Sequence, residues 1–244
     1  MANAMMEATS RQMAGGWLGR GGARSAVLAA MLLTGLMVTA SAGAGPRHQR
    51  SEGEPGQFDY YAVALSWSPA FCATHDDPNQ CAPGRQMGFV LHGLWPQYER
   101  GYPQSCSNER LSSADMARYA GLYPSPKMIG HEWSKHGTCS GLNPAAYFGL
   151  SSKLRGQVAI PAAYQRPSQP VRTSYADFVG AFRAANPRLP EHSVLPFCGA
   201  GGRFLNEIHA CFDKGGAGIS CGPAEVRRSE NTCRQASFLI QAAR

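Results

Sequence analysis

Eight cysteines, at positions 72, 81, 106, 139, 198, 211, 221 and 233, narrow what this 244-residue chain can become. An even set of this size in a chain bound for an oxidising compartment predicts a domain stapled by four disulfides. Zinc is the competing use. No two of the cysteines stand as Cys-x-x-Cys, however, and the shortest spacings, Cys72 to Cys81 and Cys211 to Cys221, do not fit a zinc knuckle. The compartment is read from the N-terminal side. Arg11, Arg20 and Arg24 precede an apolar run from Ala26 to Ala40, and small residues continue from Ala40 to Ala44. This order predicts a signal peptide over residues 1–44, cut after Ala42 or Ala44, with Met13 as an alternative start. The stretch Val27 to Val38 is short for a span of ~20 residues and is interrupted by Thr34 and Gly35. No membrane segment is expected after cleavage, and the mature protein is expected to be secreted or periplasmic.

Past the signal, the remaining chain is the size of one domain with its own core. The net charge of +7 falls to +5 once the three arginines and Glu7 of the signal are removed. A modest positive excess suits a polyanionic partner without requiring one. Residues 45–57 read as a mobile polar leader, with a single ordered domain over 58–244. Aromatic and β-branched residues from Phe58 to Trp67 predict a strand closed by Ser68-Pro69. A second apolar run, Met87 to His92, is stopped by Gly93 and Pro96, which puts His92 at a strand end. Helices are expected from Ser112 or Ser113 to Tyr119, from the Asn143-Pro144 cap towards Leu154, and from Tyr175 to Ala185 behind Ser174. Further strands fit Phe204 to Phe212 and Phe238 to Ile240. Mixed elements without regular βαβ alternation predict an α+β fold, a mostly antiparallel sheet with surrounding helices.

Two segments concentrate titratable and aromatic residues: Phe89-Val-Leu-His-Gly-Leu-Trp-Pro-Gln97 and His131-Glu-Trp-Ser-Lys-His-Gly-Thr-Cys139. On a helix, Glu132 and His136 lie one above the other with Lys135 beside them, so one face carries an acid, a base and a cation. A zinc-protease motif needs His-Glu-x-x-His; the spacing here is one residue longer and turns His131 away from His136. A metal-dependent phosphodiesterase would need an acidic cluster with ligand spacing, which the sequence lacks. The bland alternatives are a solvated helix face for Glu132, Lys135 and His136, and a satisfied core histidine for His92.

Both segments closely resemble the two active-site signatures of the ribonuclease T2 family, and the similarity runs from Phe58 to the end of the chain. The resemblance implies an endoribonuclease that needs no cofactor or metal and acts on RNA, expected as a monomer. It assigns His92 and His136 as catalytic histidines, Glu132 and Lys135 to the charge on the phosphate, His131 to holding the phosphate, and Trp95 to stacking on a base. It also implies the disulfides Cys72–Cys81, Cys106–Cys139 and Cys198–Cys233, the last enclosing Cys211–Cys221. RNA brings its own nucleophile, the 2′-OH, so two histidines suffice to take one proton and give another. His136 is favoured as base and His92 as acid; Glu132 either orients Lys135 or handles a proton. An inactive RNA-binding protein on the same scaffold is the rival, disfavoured because the motif positions are intact. Gln97 stands where many members have Asp, and Met128-Ile129 where an aromatic pair is common, so base preference is left open. Tyr98 and Tyr102 rank below Trp95 as stacking residues, and His48, His75, His192 and His209 match no motif and are read as uninvolved.

Overall fold

Period-two alternation along the first strand sets the architecture. In β1 (Tyr60–Trp67), Tyr61, Val63, Leu65 and Trp67 enter the main core, while Tyr60 belongs to a second, smaller one on the other face. The computed structural model describes residues 52–243; the signal segment, residues 45–51 of the leader, Met13 and His48 lie outside the described residues. After β1 come α1 (Ser68–Cys72), α2 (Pro78–Cys81), β2 (Phe89–Gln97), α3 (Ser113–Arg118), α4 (Pro126–Lys135) and α5 (Pro144–Gly156). The chain continues through α6 (Ala162–Gln165), β3 (Val171–Thr173), α7 (Tyr175–Ala185), β4 (Val194–Gly199), β5 (Phe204–Phe212), α8 (Pro223–Thr232) and β6 (Phe238–Ile240).

Among the described residues, six strands form one sheet in the order β2-β1-β5-β6-β3, with β4 also paired to β5. Every pairing is antiparallel except a single parallel contact between β5 and β6. This is the expected α+β fold. Helices α4, α5 and α7 cover the main core with Ile129, Trp133, Tyr147, Phe148, Phe178 and Phe182. The expected caps are in place: Ser112, Asn143 and Ser174 accept from the backbone N–H of Asp115, Ala146 and Asp177 at 3.0, 2.9 and 3.1 Å, each contributing about 1 kcal/mol. The four disulfides join Cys72–Cys81, Cys106–Cys139, Cys198–Cys233 and Cys211–Cys221.

Two expectations are corrected. The second strand does not stop at Gly93: β2 runs through Pro96 to Gln97, so His92 lies mid-strand. β2 is an edge strand, the place where a sheet tolerates proline. Nor does order wait for Phe58. Glu52 bridges to Gln104, and the Gly56 N–H donates to the Cys139 carbonyl at 2.9 Å.

Candidate active site

The second face of the sheet is floored with small residues. Opposite Ala62 stand Trp95 on β2 and Cys211 on β5; opposite Ala64 stand Gly93 and His209; opposite Ser66 stand Val90 and Glu207. The missing bulk above β1 leaves room for large side chains leaning in from both neighbours. Between Leu91 and Gly93 the register with β1 shifts, leaving His92 without a partner. This bulge aims its ring at the space above the floor.

The other wall comes from α4, whose buried stripe is Ile129, Glu132 and Trp133, the i, i+3, i+4 pattern of a helix packed on a core. Glu132 shares that stripe, so it is a buried carboxylate and not part of a solvated face. Its Oε2 accepts from Trp95 Nε1 at 2.8 Å, and its Oε1 has no hydrogen-bond partner and faces His92 Nε2 at 3.8 Å. Burial pushes the Glu132 carboxyl up to about 7, against the opposing pull of His92, Trp95 and Lys135. A side chain at position 93 would overlap the Glu132 carboxylate and the Trp95 indole nitrogen. Gly93→Ala should therefore cost about 1–3 kcal/mol and break the Trp95–Glu132 bond; thermal unfolding and initial rates on RNA together check this.

His136 closes α4 as its C-cap, its N–H bonded to the Glu132 carbonyl. The ring is buried and stacks on Trp95 with centroids 5.0 Å apart. Burial first, then the neighbouring charges of Lys135, His131 and His92, pushes the His136 ring down to about 2. His92 has the opposite setting. Its Nδ1 lies 3.1 Å from Ser66 Oγ and 3.2 Å from Glu207 Oε2, and its ring meets the edge of Trp95 at 4.9 Å. Burial works against its charged form, but the Glu207 hydrogen bond and the charges of Glu132 and Glu207 outweigh it and raise the pKa above the ordinary histidine value.

Residues 58–221 match the family described as "Ribonuclease T2 family". A ribonuclease of Aeromonas hydrophila is 42% identical over 210 residues, covering 80% of this chain and 91% of its own. The chain belongs to the ribonuclease T2 family. As a T2 ribonuclease it is an endoribonuclease. Ribonuclease Oy of Magallana gigas is 29% identical, with 72% of this chain and 92% of that one covered. Among solved structures, ribonuclease MC1 from bitter gourd seeds superposes with a TM-score of 0.55 at 25% identity, covering 67% of this chain and 94% of that one. An RNase-related protein from Calystegia sepium shares the fold, with a TM-score of 0.61 at 20% identity and coverage of 77% and 98%.

Within this T2 fold the expected site residues converge, with differences of detail. His92, Trp95, Glu132 and His136 form one cluster. Lys135 does not pair with Glu132 as the helix spacing suggested; its Nζ sits 6.0 Å over the Tyr102 ring. His131 lies on the exposed rim. Trp95 is largely occupied, with His136 on one face, the edges of His92 and His209 nearby, and its N–H on Glu132. Tyr102 is the more open aromatic, 45% exposed and 6.1 Å from the His136 ring. Two residues at the site escaped the sequence reading: Glu207, and His209, which was set aside as uninvolved. His209 is fully buried beneath Trp95, with Nε2 at 3.0 Å from Glu207 and Nδ1 at 2.6 Å from Glu225. The signal that pointed to them was the alternation in β5, where Glu207, His209 and Cys211 share one face and Ile208, Ala210 and Phe212 the other.

Proposed function

We propose that this endoribonuclease cleaves single-stranded RNA without a metal, with the substrate's 2′-OH as nucleophile. His136 takes the 2′-OH proton, the 2′-oxygen attacks phosphorus, and His92 protonates the departing 5′-oxygen, leaving a 2′,3′-cyclic phosphate. In the second step the roles reverse, and water opens the ring to a 3′-phosphate. The observation that carries this reading is the contrast between the two rings. His136 is buried beside a lysine, which keeps it neutral and able to accept a proton; His92 is held against carboxylates, which keeps it charged and able to give one. Lys135 stabilises the charge gathering on the phosphoryl oxygens. Glu132, when protonated, donates its unpaired Oε1–H to the same oxygens. His131 contacts the phosphate from the rim, and Trp95 and Tyr102 offer surface to the base. The four disulfides support a secreted or periplasmic protein acting after removal of a signal peptide.

These protonation states set the sign of the pH dependence. The reactive form needs His136 neutral and His92 protonated, with Glu132 protonated as well for full rate. kcat/KM should stay high well into acid, because His136 charges only near pH 2, and fall as pH rises past about 7, where Glu132 ionises, and further as His92 loses its proton.

The deciding experiment is mass spectrometry of a short oligoribonucleotide sampled through a digest, with and without EDTA. Ends bearing 2′,3′-cyclic phosphate should appear before 3′-phosphate, at the same rate in both samples. A 2′-O-methyl group at the cleaved nucleotide should block cutting there while the oligonucleotide still binds and inhibits. Cutting at the methylated position, or 5′-phosphate products, would require an activated water and overturn the proposal.

A further inference from the structure

Beneath the catalytic cluster, side chains of alternating charge run from the surface to the acid. Arg228 on α8 makes two bonds to Glu225, from Nε at 3.0 Å and from Nη2 at 2.6 Å. Glu225 Oε1 meets His209 Nδ1, His209 Nε2 meets Glu207 Oε1, and Glu207 Oε2 meets His92 Nδ1. His209 has a carboxylate oxygen against each ring nitrogen. Between two ionised carboxylates, whose pKa values the buried ring and Arg228 hold down, only the imidazolium, with an N–H on both, avoids setting a lone pair against an oxygen in a fully buried site. A charged His209 in turn fixes Glu207 as a carboxylate, and a carboxylate facing His92 Nδ1 requires a proton there.

We propose that Glu207 is the positioning residue of the acid, held by the His209–Glu225–Arg228 chain so that His92 keeps its proton on Nδ1 and turns Nε2 to the departing oxygen. The proposal deepens the two-histidine reading above and rests on it for the role of His92. The groups facing the His92 ring are Ser66 on β1, Glu132 and His131 on α4 with His136 at its end, and Glu207 and His209 on β5; α8 reaches it only through His209. Of these, Glu207 alone places a carboxylate oxygen on Nδ1. Glu132 faces Nε2, on the side where the substrate must come. The arrangement is a carboxylate orienting a histidine through its far nitrogen, with a second histidine and a second carboxylate behind it.

Glu207→Gln retains the shape and removes the charge. The later part of the alkaline limb of kcat/KM, where His92 loses its proton, should move to lower pH by on the order of one unit or more. kcat at the optimum should fall roughly ten- to a hundred-fold with KM little changed, because the ring is no longer held in one tautomer. A uniform loss of rate with an unmoved limb would mark Glu207 as merely structural and overturn the proposal. Should Glu207→Gln not fold, nitrogen-15 NMR of the intact wild-type protein decides. The neutral His92 ring should carry its proton on Nδ1, and His209 should stay doubly protonated throughout the folded pH range. A neutral His92 protonated on Nε2, or a His209 that loses a proton near its ordinary pKa, would sink the idea. These signals are read on the rings themselves. A failure of the two-histidine reading would instead appear as full activity in His92→Ala, whatever tautomer the wild type holds.

Discussion

His136→Ala and His92→Ala should each lower kcat/KM on RNA by a factor on the order of 10²–10⁴ while leaving a folded protein. The two variants should differ in how they lose it. His136 sits buried as the cap of α4 and stacked on Trp95, so alanine there leaves a small void and a modest drop in Tm along with the loss of the proposed base. His92 is about one-third exposed in a bulge of an edge strand, so alanine removes the proposed proton donor at less structural cost. A substrate whose leaving group needs no protonation, such as a uridine 3′-aryl phosphate, separates the roles. His92→Ala should recover much of its rate on that ester and His136→Ala should not. Recovery in His136→Ala alone would exchange the two assignments, and near-wild-type rate of His92→Ala on RNA would return that residue to the status of a core histidine.

Replacing Cys106 and Cys139 together with alanine should lower stability by roughly 3–4 kcal/mol on the loop-entropy estimate for a 33-residue separation. For a domain of this size that corresponds to a Tm lower by roughly 6–16 °C. The effect should not stop at stability. Cys139 ends the 3₁₀ turn Gly137–Cys139 next to His136, and the residue before Cys106 donates its N–H to the Lys135 carbonyl at 2.8 Å. The bridge thus fixes the end of α4 where His136 and Lys135 stand. Rates at a temperature where the variant remains folded should fall as well. A variant that lost stability but kept its full rate would show that His136 is held by Trp95 alone.

The outline of this fold was legible where local chemistry decides it. Ser112, Asn143 and Ser174 cap helices because a short polar side chain before an apolar run has few other uses, and β1 announces itself by its aromatic and β-branched residues. The continuation of β2 through Gly93 and Pro96 was not legible, since both residues usually end strands. Gly93 is there because Glu132 and Trp95 fill the space of a side chain, and Pro96 is allowed because no strand among the described residues pairs beyond β2; both reasons are tertiary. β4, interrupted by Pro196, was missed in the same way, as was α8. At the site, two motifs located His92, Trp95, Glu132, Lys135 and His136. The spacing of Glu132 and Lys135 invited an ion pair, but burial beside Trp133 drew the carboxylate inward, away from the ammonium. Glu207 and His209 lie more than a hundred residues from His92, and their partner Glu225 comes from a helix that sequence reasoning did not find. A Glu-x-His on one face of a strand gains meaning only once the sheet sets that face under the motif tryptophan.

The early pairing of Glu52 with Gln104, and of Gly56 with the Cys139 carbonyl, bears on how the protein resists proteolysis. A peptidase needs an extended, unbonded backbone, and the hydrogen bonds of Glu52 and Gly56 withhold one from that stretch. Cutting past Gly56 would strip a hydrogen bond from the turn that follows His136, so a few residues of backbone with no side chain at the site help hold that ring in place.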